Sequence, residues 1–315
     1  MPANLSELAA TTLELYEPSL QDNIFKKHVV LDHMKSNGGT KTVDGGTKLR
    51  VPLMMATNNS TQTFSGMDTL DLSYQDTVDA AEYDWRFYNT SIVFTKTDEM
   101  KNRGKSQIIS LLKAKITQAE NSSREALADD LFDGTDAAGE IIGLETVVGT
   151  GTYASIAGAT YDWWQSTVDD TAETLSISDM RAAKNSANLG NGGSNVSIIV
   201  TTQTLYEKYQ GLLSSTFQMN QPAATKESQR IADGGFTSVA FEGVPVVFDE
   251  QCTASAMYFL NVDNFKIYML EGGDFKLEDA NAPANQHIMV KHIVFAGNTA
   301  TDRRASLAKL LNKTA

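Results

Sequence analysis

The stretch "AAEYDWRFYNTSIVF", residues 80–94, carries three aromatic side chains at alternate positions. Tyr83, Trp85 and Phe87 are two residues apart, which is the spacing that places side chains on one face of a β-strand. The apolar residues that follow, starting at Ile92, have the opposite parity, which predicts either a bulge within the stretch or a strand that passes between two packing environments. We therefore predict a strand whose aromatic face packs against another surface.

A second strand is predicted just before this stretch, where apolar and polar residues alternate. Its inward positions are Leu49, Val51, Leu53 and Met55. Pro52 indicates an edge strand, because proline has no N–H for a ladder hydrogen bond. The polar residues Thr57–Thr77, here called the tip, separate the two strands, so we expect a long hairpin with an extended, weakly apolar tip. A two-stranded ribbon is marginal in water by itself, and this hairpin therefore needs a partner surface.

A long amphipathic helix is predicted over residues 106–132, ending before Gly134. Its apolar stripe has steps of three or four residues and comprises Ile108, Leu112, Ile116, Ala119, Ser123, Leu127 and Leu131. At 1.5 Å per residue, this helix spans about 40 Å. The chain then changes to an α/β pattern, with a helix over Ile177–Leu189, a strand at "VSIIV", a helix at "TQTLYEKYQGLL" and four short strands beginning with "VAFEGVPVVFD". The predicted fold class is α+β.

The composition limits the classes of partner. The 315 residues include 26 basic and 39 acidic side chains, and the formal charge is -13 with a pI near 4.7. This charge opposes non-specific binding to nucleic acid or to anionic membranes. The single cysteine, Cys252, excludes an intramolecular disulfide and is interpreted as a buried structural thiol. We identify neither an export signal nor an apolar run of about 18 residues that would span a membrane.

Two glycine-containing motifs resemble nucleotide-binding loops without meeting their requirements. Arg103–Ser106 contains the Gly-Lys-Ser of a phosphate-binding loop, but Glu99 stands where that motif needs a glycine. Gly149–Ala154 resembles a dinucleotide fingerprint but lacks the helix that must follow directly, so a flexible loop is the better interpretation.

The titratable pairs do not form a catalytic set either. The histidines occur as His28 with His33 and His287 with His292, and a separation of five residues places the two side chains of each pair on different faces. The paired acids Asp129–Asp130 and Asp169–Asp170 are interpreted as solvated surface rather than as general acids. We therefore predict no catalytic residue, cofactor or metal, and no enzyme.

The order of these parts resembles the major capsid proteins of tailed bacteriophages, which have the Hong Kong ninety-seven fold. Several segments also resemble one branch of that family: "LYEPSLQDNIFKKHVVLDHMK", "VDGGTKLRVPL", "AAEYDWRFYNTSIVF", "LLKAKITQAENSSREALADDLF", "TYASIAGATYDWWQ", "IIVTTQTLYEKY" and "FEGVPVVFDEQCTASAMYFLNVDNFKIY". These segments cover nearly the whole chain, and their order is more specific than any one of them.

The resemblance implies five parts of the chain. These are an N-terminal arm (1–45), an extended β-hairpin E-loop (46–95), a peripheral domain with the long spine helix (96–175), an axial α/β domain (176–285), and a return strand of the peripheral domain with a C-terminal tail (286–315). Each E-loop would lie across a neighbouring subunit. We expect the inter-subunit packing residues to be Leu49, Val51, Leu53, Tyr83, Trp85 and Phe87. Four basic residues near the C-terminus are interpreted as a solvated tail, and the alternatives are that they face DNA or pair with an acidic neighbour: Arg303, Arg304, Lys309 and Lys313.

The resemblance also implies a structural protein that self-assembles, as hexamers and pentamers, into an icosahedral shell around phage double-stranded DNA. It would assemble in the bacterial host cytoplasm, contact DNA only weakly and reside in the virion capsid. No long charged helical region precedes the arm, so we expect a separate scaffolding protein, besides a portal and a decoration protein. The tip contains no lysine, so we predict no covalent cross-link between subunits. The alternatives are an encapsulin-like compartment shell, a monomeric tail or decoration protein and, in a different class, a soluble nucleotide-binding enzyme.

Overall fold

The computed structural model describes residues 28–56, 59–74, 77–95, 97, 111–189, 195–213, 239–277 and 288–315. The chain divides into two compact units. The larger unit comprises Lys26–Tyr88, Arg124–Lys276 and Val294–Ala315, and the smaller unit includes Asn89–Ser123 and Leu277–Ile293.

The secondary structure is mixed, as the sequence predicts. The α-helices are α1 (Val29–Ser36), α2 (Leu111–Asp133), α3 (Leu144–Val147), α4 (Ile177–Asn188) and α5 (Gln203–Leu212). The strands are β1 (Thr40–Val43), β2 (Lys48–Met54), β3 (Val78–Asp84), β4 (Arg86–Thr95), β5 (Thr167–Asp169), β6 (Glu173–Thr174), β7 (Ile198–Thr201), β8 (Val239–Phe241), β9 (Val244–Phe248), β10 (Met257–Leu260), β11 (Phe265–Leu270), β12 (Lys276–Leu277), β13 (Ile288–Thr301), β14 (Ala308–Leu310) and β15 (Lys313–Thr314).

The strands form two larger sheets and two ribbons. A six-stranded sheet has the order β5-β14-β10-β7-β9-β8, and a five-stranded sheet has the order β1-β11-β13-β12, with β4 also paired to β13. The ribbons are β2-β3 and β15-β6. The predicted strand "VAFEGVPVVFD" is a hairpin instead, because Glu242 and Gly243 both have positive φ and turn the chain between β8 and β9. Such a pair of left-handed residues matches the right-handed twist of the flanking strands.

Helix α4 confirms the second predicted helix, and its start follows from local hydrogen bonds. The Ser176 side chain accepts from the Asp179 N–H, and the Asp179 carboxylate accepts from the Ser176 N–H, which is a capping box. Together with α5, this helix buries its apolar face in a cluster with the six-stranded sheet. Cys252 is buried in a separate cluster, as predicted.

Helix α2 contains the later part of the predicted amphipathic stripe, whereas residues 106–110 and the Leu112 side chain lie outside what the structure describes. Ala119, Ser123, Leu127 and Leu131 are all buried. The helix ends at Asp133, and at Gly134 the neighbouring backbone is too close for a side chain. A Cβ on Gly134 would lie 2.3 Å from the Ile141 carbonyl oxygen. The stop predicted at this glycine is confirmed, and the close packing of the backbones requires glycine at this position.

The interpretation of the basic C-terminal residues as a solvated tail is wrong for three of the four. Arg304 is only 1% exposed, and Lys309 and Lys313 are also buried. Lys309 Nζ donates to the Glu145 carbonyl, and Lys313 Nζ forms ion pairs with Asp169 and Glu173. The segment is buried because β14 pairs with both β10 and β5 inside the six-stranded sheet. Arg303 alone of the four is exposed.

The Arg304 guanidinium is surrounded by backbone carbonyls. Its Nε donates to the Val147 oxygen at 2.7 Å, and its Nη2 donates to the Thr146 oxygen at 2.8 Å. Its Nη1 donates to the Gly151 oxygen at 2.6 Å and to the Trp164 oxygen at 3.2 Å. Burial lowers the pKa of Arg304 to about 10, so the side chain keeps its charge at neutral pH. These bonds provide a donor for the carbonyl groups of Thr146, Val147, Gly151 and Trp164.

We expect His33 to make the free energy of unfolding fall as the pH drops from about 6.5 to about 4. The imidazole on α1 is 3% exposed, and burial lowers its pKa to about 4. The unfolded chain takes up a proton near pH 6.5 while the folded chain does not, so stability is lost through this window and levels off below it. The loss is roughly 3 kcal/mol. Urea unfolding from pH 7.5 to 4, with His33→Gln compared with the native chain, measures it.

His292→Gln is the matched control, because His292 is only half-buried and bonds to Ser91 and Asn89 at 3.1 Å each. This variant is expected to keep the pH dependence that His33→Gln loses. If the free energy of unfolding depended on pH equally in the native chain and in His33→Gln, the buried imidazole would not be the source of that pH dependence.

Candidate assembly surfaces

The hairpin predicted from the sequence is the ribbon of β2 and β3. The two strands are antiparallel, with Leu49 opposite Tyr83 and Pro52 opposite Ala80. Leu49 and Leu53 are buried and the intervening Val51 is half-buried, which confirms the alternation. In the described residues β2 pairs with β3 alone, so Pro52 lies on an edge as expected.

Tyr83 fixes the base of the hairpin to the core. Its hydroxyl donates to the Thr301 carbonyl oxygen at 2.9 Å and accepts from the Thr301 N–H at 3.3 Å. Its ring packs edge-on against Tyr153, with 5.5 Å between centroids. Burial raises the pKa of Tyr83 well above its ordinary value, so the hydroxyl stays protonated. This aromatic side chain is thus packed against its own chain.

Trp85 marks the change of parity that the sequence predicts, at an earlier position than expected. It lies between β3 and β4, and its indole Nε1 donates to the Gly46 oxygen at 2.8 Å. Beyond this break, the inward side chains of β4 are at even positions, including Ile92 and Phe94. The prediction that Phe87 shares the face of Tyr83 and Trp85 is therefore wrong, because the break turns Phe87 outward and leaves it 67% exposed.

The six predicted packing residues consequently divide into two groups. Four are already buried within this chain: Leu49, Leu53, Tyr83 and Trp85. Val51 is half-buried and Phe87 is exposed, so these two keep surface for a neighbouring molecule. Contact of any of the six with another subunit stays a prediction.

The start of β4 is tied to the end of α2. Arg86 forms an ion pair with Asp136, and the Tyr88 hydroxyl donates to Asp130 Oδ2 at 2.5 Å while it accepts from the Ile141 N–H at 2.8 Å. Burial raises the pKa of Asp130 above its ordinary range. The interpretation of Asp130 as simply solvated is therefore wrong: this carboxylate helps to hold the hairpin at its root.

Among the described residues, the largest group of exposed apolar side chains belongs to the tip, which the sequence pattern described only as weakly apolar. Its large exposed side chains are Phe64, Met67, Leu70, Leu72 and Tyr74, with Met54 and Val78 flanking them. Phe64 is 69% exposed and Met67 is fully exposed at 101%. Several large apolar side chains exposed in one segment indicate a candidate interaction site. The apolar residues are visible in the sequence, but Thr, Ser and Asn residues lie between them, so the segment does not stand out as apolar.

Hydrogen bonds within the tip give this surface a defined shape. Asp68 Oδ2 accepts from the Ser65 N–H at 2.7 Å, and the Asp68 N–H donates to the Ser65 oxygen at 2.8 Å. Gln62 Nε2 donates to the Thr69 oxygen at 3.1 Å and closes the turn from the outside. A turn held in this way loses little conformational freedom when it binds, which favours affinity.

A groove lies in the smaller unit, between β4 and α2. Most of its lining residues are polar, and the apolar ones include the buried Ile92 and Ala119. The lining comprises Thr90, Ser91, Ile92, Val93, Lys115, Gln118, Ala119 and Ser122. Its volume is about 290 Å³, which is at the lower limit of small-molecule pockets, about 300 Å³. A groove of this volume can hold one or two side chains.

Two further classes of site are not found in the described parts of the chain. No group of three or more His, Cys, Asp or Glu side chains is placed to hold a metal ion there. No helix in those ranges combines the length and apolar character needed to cross a bilayer. The Arg103–Ser106 motif lies outside the described residues.

Comparison with known proteins gives no match by sequence: neither a known protein family profile nor a curated protein matches the chain. Solved structures match over nearly its whole length. The cyanophage A-1(L) capsid asymmetric unit has a TM-score of 0.72 and 17% identity, covering 96% of this chain and 97% of that one. The fold is therefore that of the tailed-phage major capsid proteins.

Two other structures share this capsid fold. The capsid of Myoviridae phage XM1 has a TM-score of 0.60 and 10% identity, covering 95% of this chain and 96% of that one. The holo-SrpI encapsulin complex from Synechococcus elongatus PCC 7942 has a TM-score of 0.64 and 10% identity, covering 100% and 97%. The fold found by these comparisons agrees with the fold predicted from the sequence. A phage capsid and an encapsulin-like compartment, the two shell functions considered above, share this fold.

Proposed function

We propose that the chain is the major capsid protein of a tailed bacteriophage and that copies of it self-assemble into an icosahedral shell around double-stranded DNA. The observation that carries this proposal is the full-length likeness to the cyanophage A-1(L) capsid asymmetric unit. The exposed apolar tip supports it, because such a surface needs a partner. The role is structural, and no residue is assigned to catalysis.

The proposal includes the five-part division of the chain predicted above and hexamers and pentamers built from it. Residues 46–95 act as the E-loop, in which the tip and Phe87 supply exposed surface for a neighbouring subunit. A separate scaffolding protein, a portal and a decoration protein complete the set of partners. The net charge of -13 supports a shell that encloses DNA with only weak contacts. The location is the virion capsid, after assembly in the host cytoplasm.

Negative-stain electron microscopy tests this proposal, with the protein expressed alone and with its neighbouring genes. We expect closed particles of uniform size, or rings of five and six, in at least one preparation. A stable monomer in both preparations at every concentration would contradict the shell function.

An encapsulin-like compartment is the second candidate, because the SrpI encapsulin complex matches all of this chain in fold. The contents of the particles distinguish the two functions. Nuclease-resistant DNA inside particles made in infected cells supports a phage capsid. Particles that contain a co-purified enzyme and no DNA support a compartment.

We predict that assembled particles contain no covalent links between subunits. The tip lacks lysine, so it offers no amine for an isopeptide bond. Boiled particles are expected to migrate on a denaturing gel as a single band at the chain mass of 34.3 kDa. A ladder of multimers that survives boiling and reduction would contradict this prediction. The lysine-bearing shaft near Lys48 serves as an internal check, since peptide mapping should recover it unmodified.

A further inference from the structure

A buried carboxylate from the six-stranded sheet lies at the start of helix α1. Asp249 follows β9 and is 3% exposed, and its Oδ1 accepts from the Gln251 N–H at 3.1 Å. Burial raises the pKa of this carboxyl, whereas His28 and the N–H groups of Val29 and Val30 oppose the rise. Those three residues are at the N-terminal end of α1. Asp249 therefore faces the positive end of the helix dipole from a distant part of the chain.

Two polar atoms at this end of α1 have no hydrogen-bond partner of normal geometry among the described residues. They are Asp249 Oδ2 and His28 Nδ1, and both atoms are shielded from solvent. A buried polar atom without a partner costs free energy, so two of them at one contact need an explanation. A single proton would satisfy both atoms. It would make either an imidazolium N–H that donates to Oδ2 or a carboxyl O–H that donates to Nδ1.

Three further titratable groups lie near this pair, and two of them keep a constant charge between pH 8 and pH 5.5. Burial lowers the pKa of His33, on the next turn of α1, to about 4, so this imidazole stays neutral in that range. Burial raises the pKa of the Cys252 thiol, in the same turn as Asp249, well above its ordinary value. The third group, Glu250, is exposed. A proton taken up at this contact therefore belongs to His28 and Asp249 together.

We propose that His28 and Asp249 bind one proton between them as the pH falls, and that the resulting hydrogen bond locks the start of α1 onto the turn after β9. The lock is open while the imidazole is neutral and the carboxyl is charged, and it closes in the singly protonated pair. Helix α1 lies within the predicted arm (1–45), so the lock sets how firmly this part of the arm is attached at mildly acid pH. The inference does not depend on shell formation, because both residues belong to one chain and to its larger unit.

A double-mutant cycle at two pH values tests the proton lock. His28→Ala, Asp249→Ala and the double variant are unfolded with urea at pH 8 and at pH 5.5, beside the native chain. At pH 5.5 we expect the two residues to be coupled by about tenfold or more in the folding equilibrium constant, as in a hydrogen bond to a charged group. At pH 8 we expect no coupling. In the matched control cycle Glu250→Ala replaces Asp249→Ala, and no coupling is expected at either pH. Equal coupling at both pH values, or none at pH 5.5, would overturn the lock.

Hydrogen exchange of the native chain provides a test that needs no variant to fold. Peptides that cover α1 are followed by mass spectrometry at pH 8 and at pH 5.5, with correction for the intrinsic pH dependence of amide exchange. We expect the protection of α1 to rise about tenfold at the lower pH, because the lock opposes local opening of this helix. The protection of α4 is expected to stay unchanged and is the internal control. If α1 gained no protection, or if α4 gained as much, the lock would be refuted.

Discussion

Replacing Phe64 and Met67 together with serine is expected to abolish shell formation while leaving the chain folded. Both side chains are exposed in the free chain, so their removal should change the free energy of unfolding by about 0.5 kcal/mol or less. Apolar anchors at the centre of an interface contribute about 2 kcal/mol or more each to binding. Because every subunit of a closed shell uses the same contact, the loss is repeated across the particle.

Particle counts by electron microscopy and thermal unfolding by circular dichroism measure the two parts of this prediction. Leu189→Ser is the control, since Leu189 is a similarly exposed apolar residue beyond the end of α4. It should leave both readouts unchanged. Normal shells from the Phe64 and Met67 double variant would show that the tip is not an assembly surface.

The second large effect is expected from Arg304→Ala, which should destabilise the folded chain by about 3–5 kcal/mol. Hydrogen bonds to a charged group contribute about 1.5–3 kcal/mol each without being additive, and Arg304 donates four of them. The substitution also leaves the carbonyls of Thr146, Val147 and Trp164 without this donor. Urea unfolding at pH 7 measures the change.

Arg303→Ala is the matched control for this substitution, because it removes the same side chain from the adjacent, exposed position. We expect a change of about 0.5 kcal/mol or less for this variant. Arg304→Lys should recover little of the lost stability, since an ammonium group cannot reproduce the planar fork of the guanidinium. Similar urea concentrations at the midpoint of unfolding for Arg303→Ala and Arg304→Ala would contradict the structural role of Arg304.

Sequence periodicity predicts correctly the strand and the helix whose buried residues recur at regular intervals. The alternation from Leu49 to Leu53 and the stripe from Ala119 to Leu131 each reflect one buried face, and both are confirmed. Phe87 was misplaced because the strand is interrupted at Trp85, whose indole bonds to Gly46. Nothing in the alternate spacing of the aromatic residues shows where such a break falls.

The error at the C-terminus has a different cause. Charged residues are rarely fully buried unless they are paired, so a basic segment predicts a solvated surface. Arg304 is buried because carbonyls from the Thr146–Trp164 region converge on it, and those residues are far away in sequence. The groove between β4 and α2 depends in the same way on tertiary contacts, so its existence could not be read from the sequence.

Sedimentation velocity of the protein co-expressed with its neighbouring genes tests the central claim, self-assembly into a shell, most directly. Our account predicts a single fast boundary for closed particles that contain many copies of the 34.3 kDa chain. A monomer or small oligomer at every concentration, with no fast boundary, would contradict it.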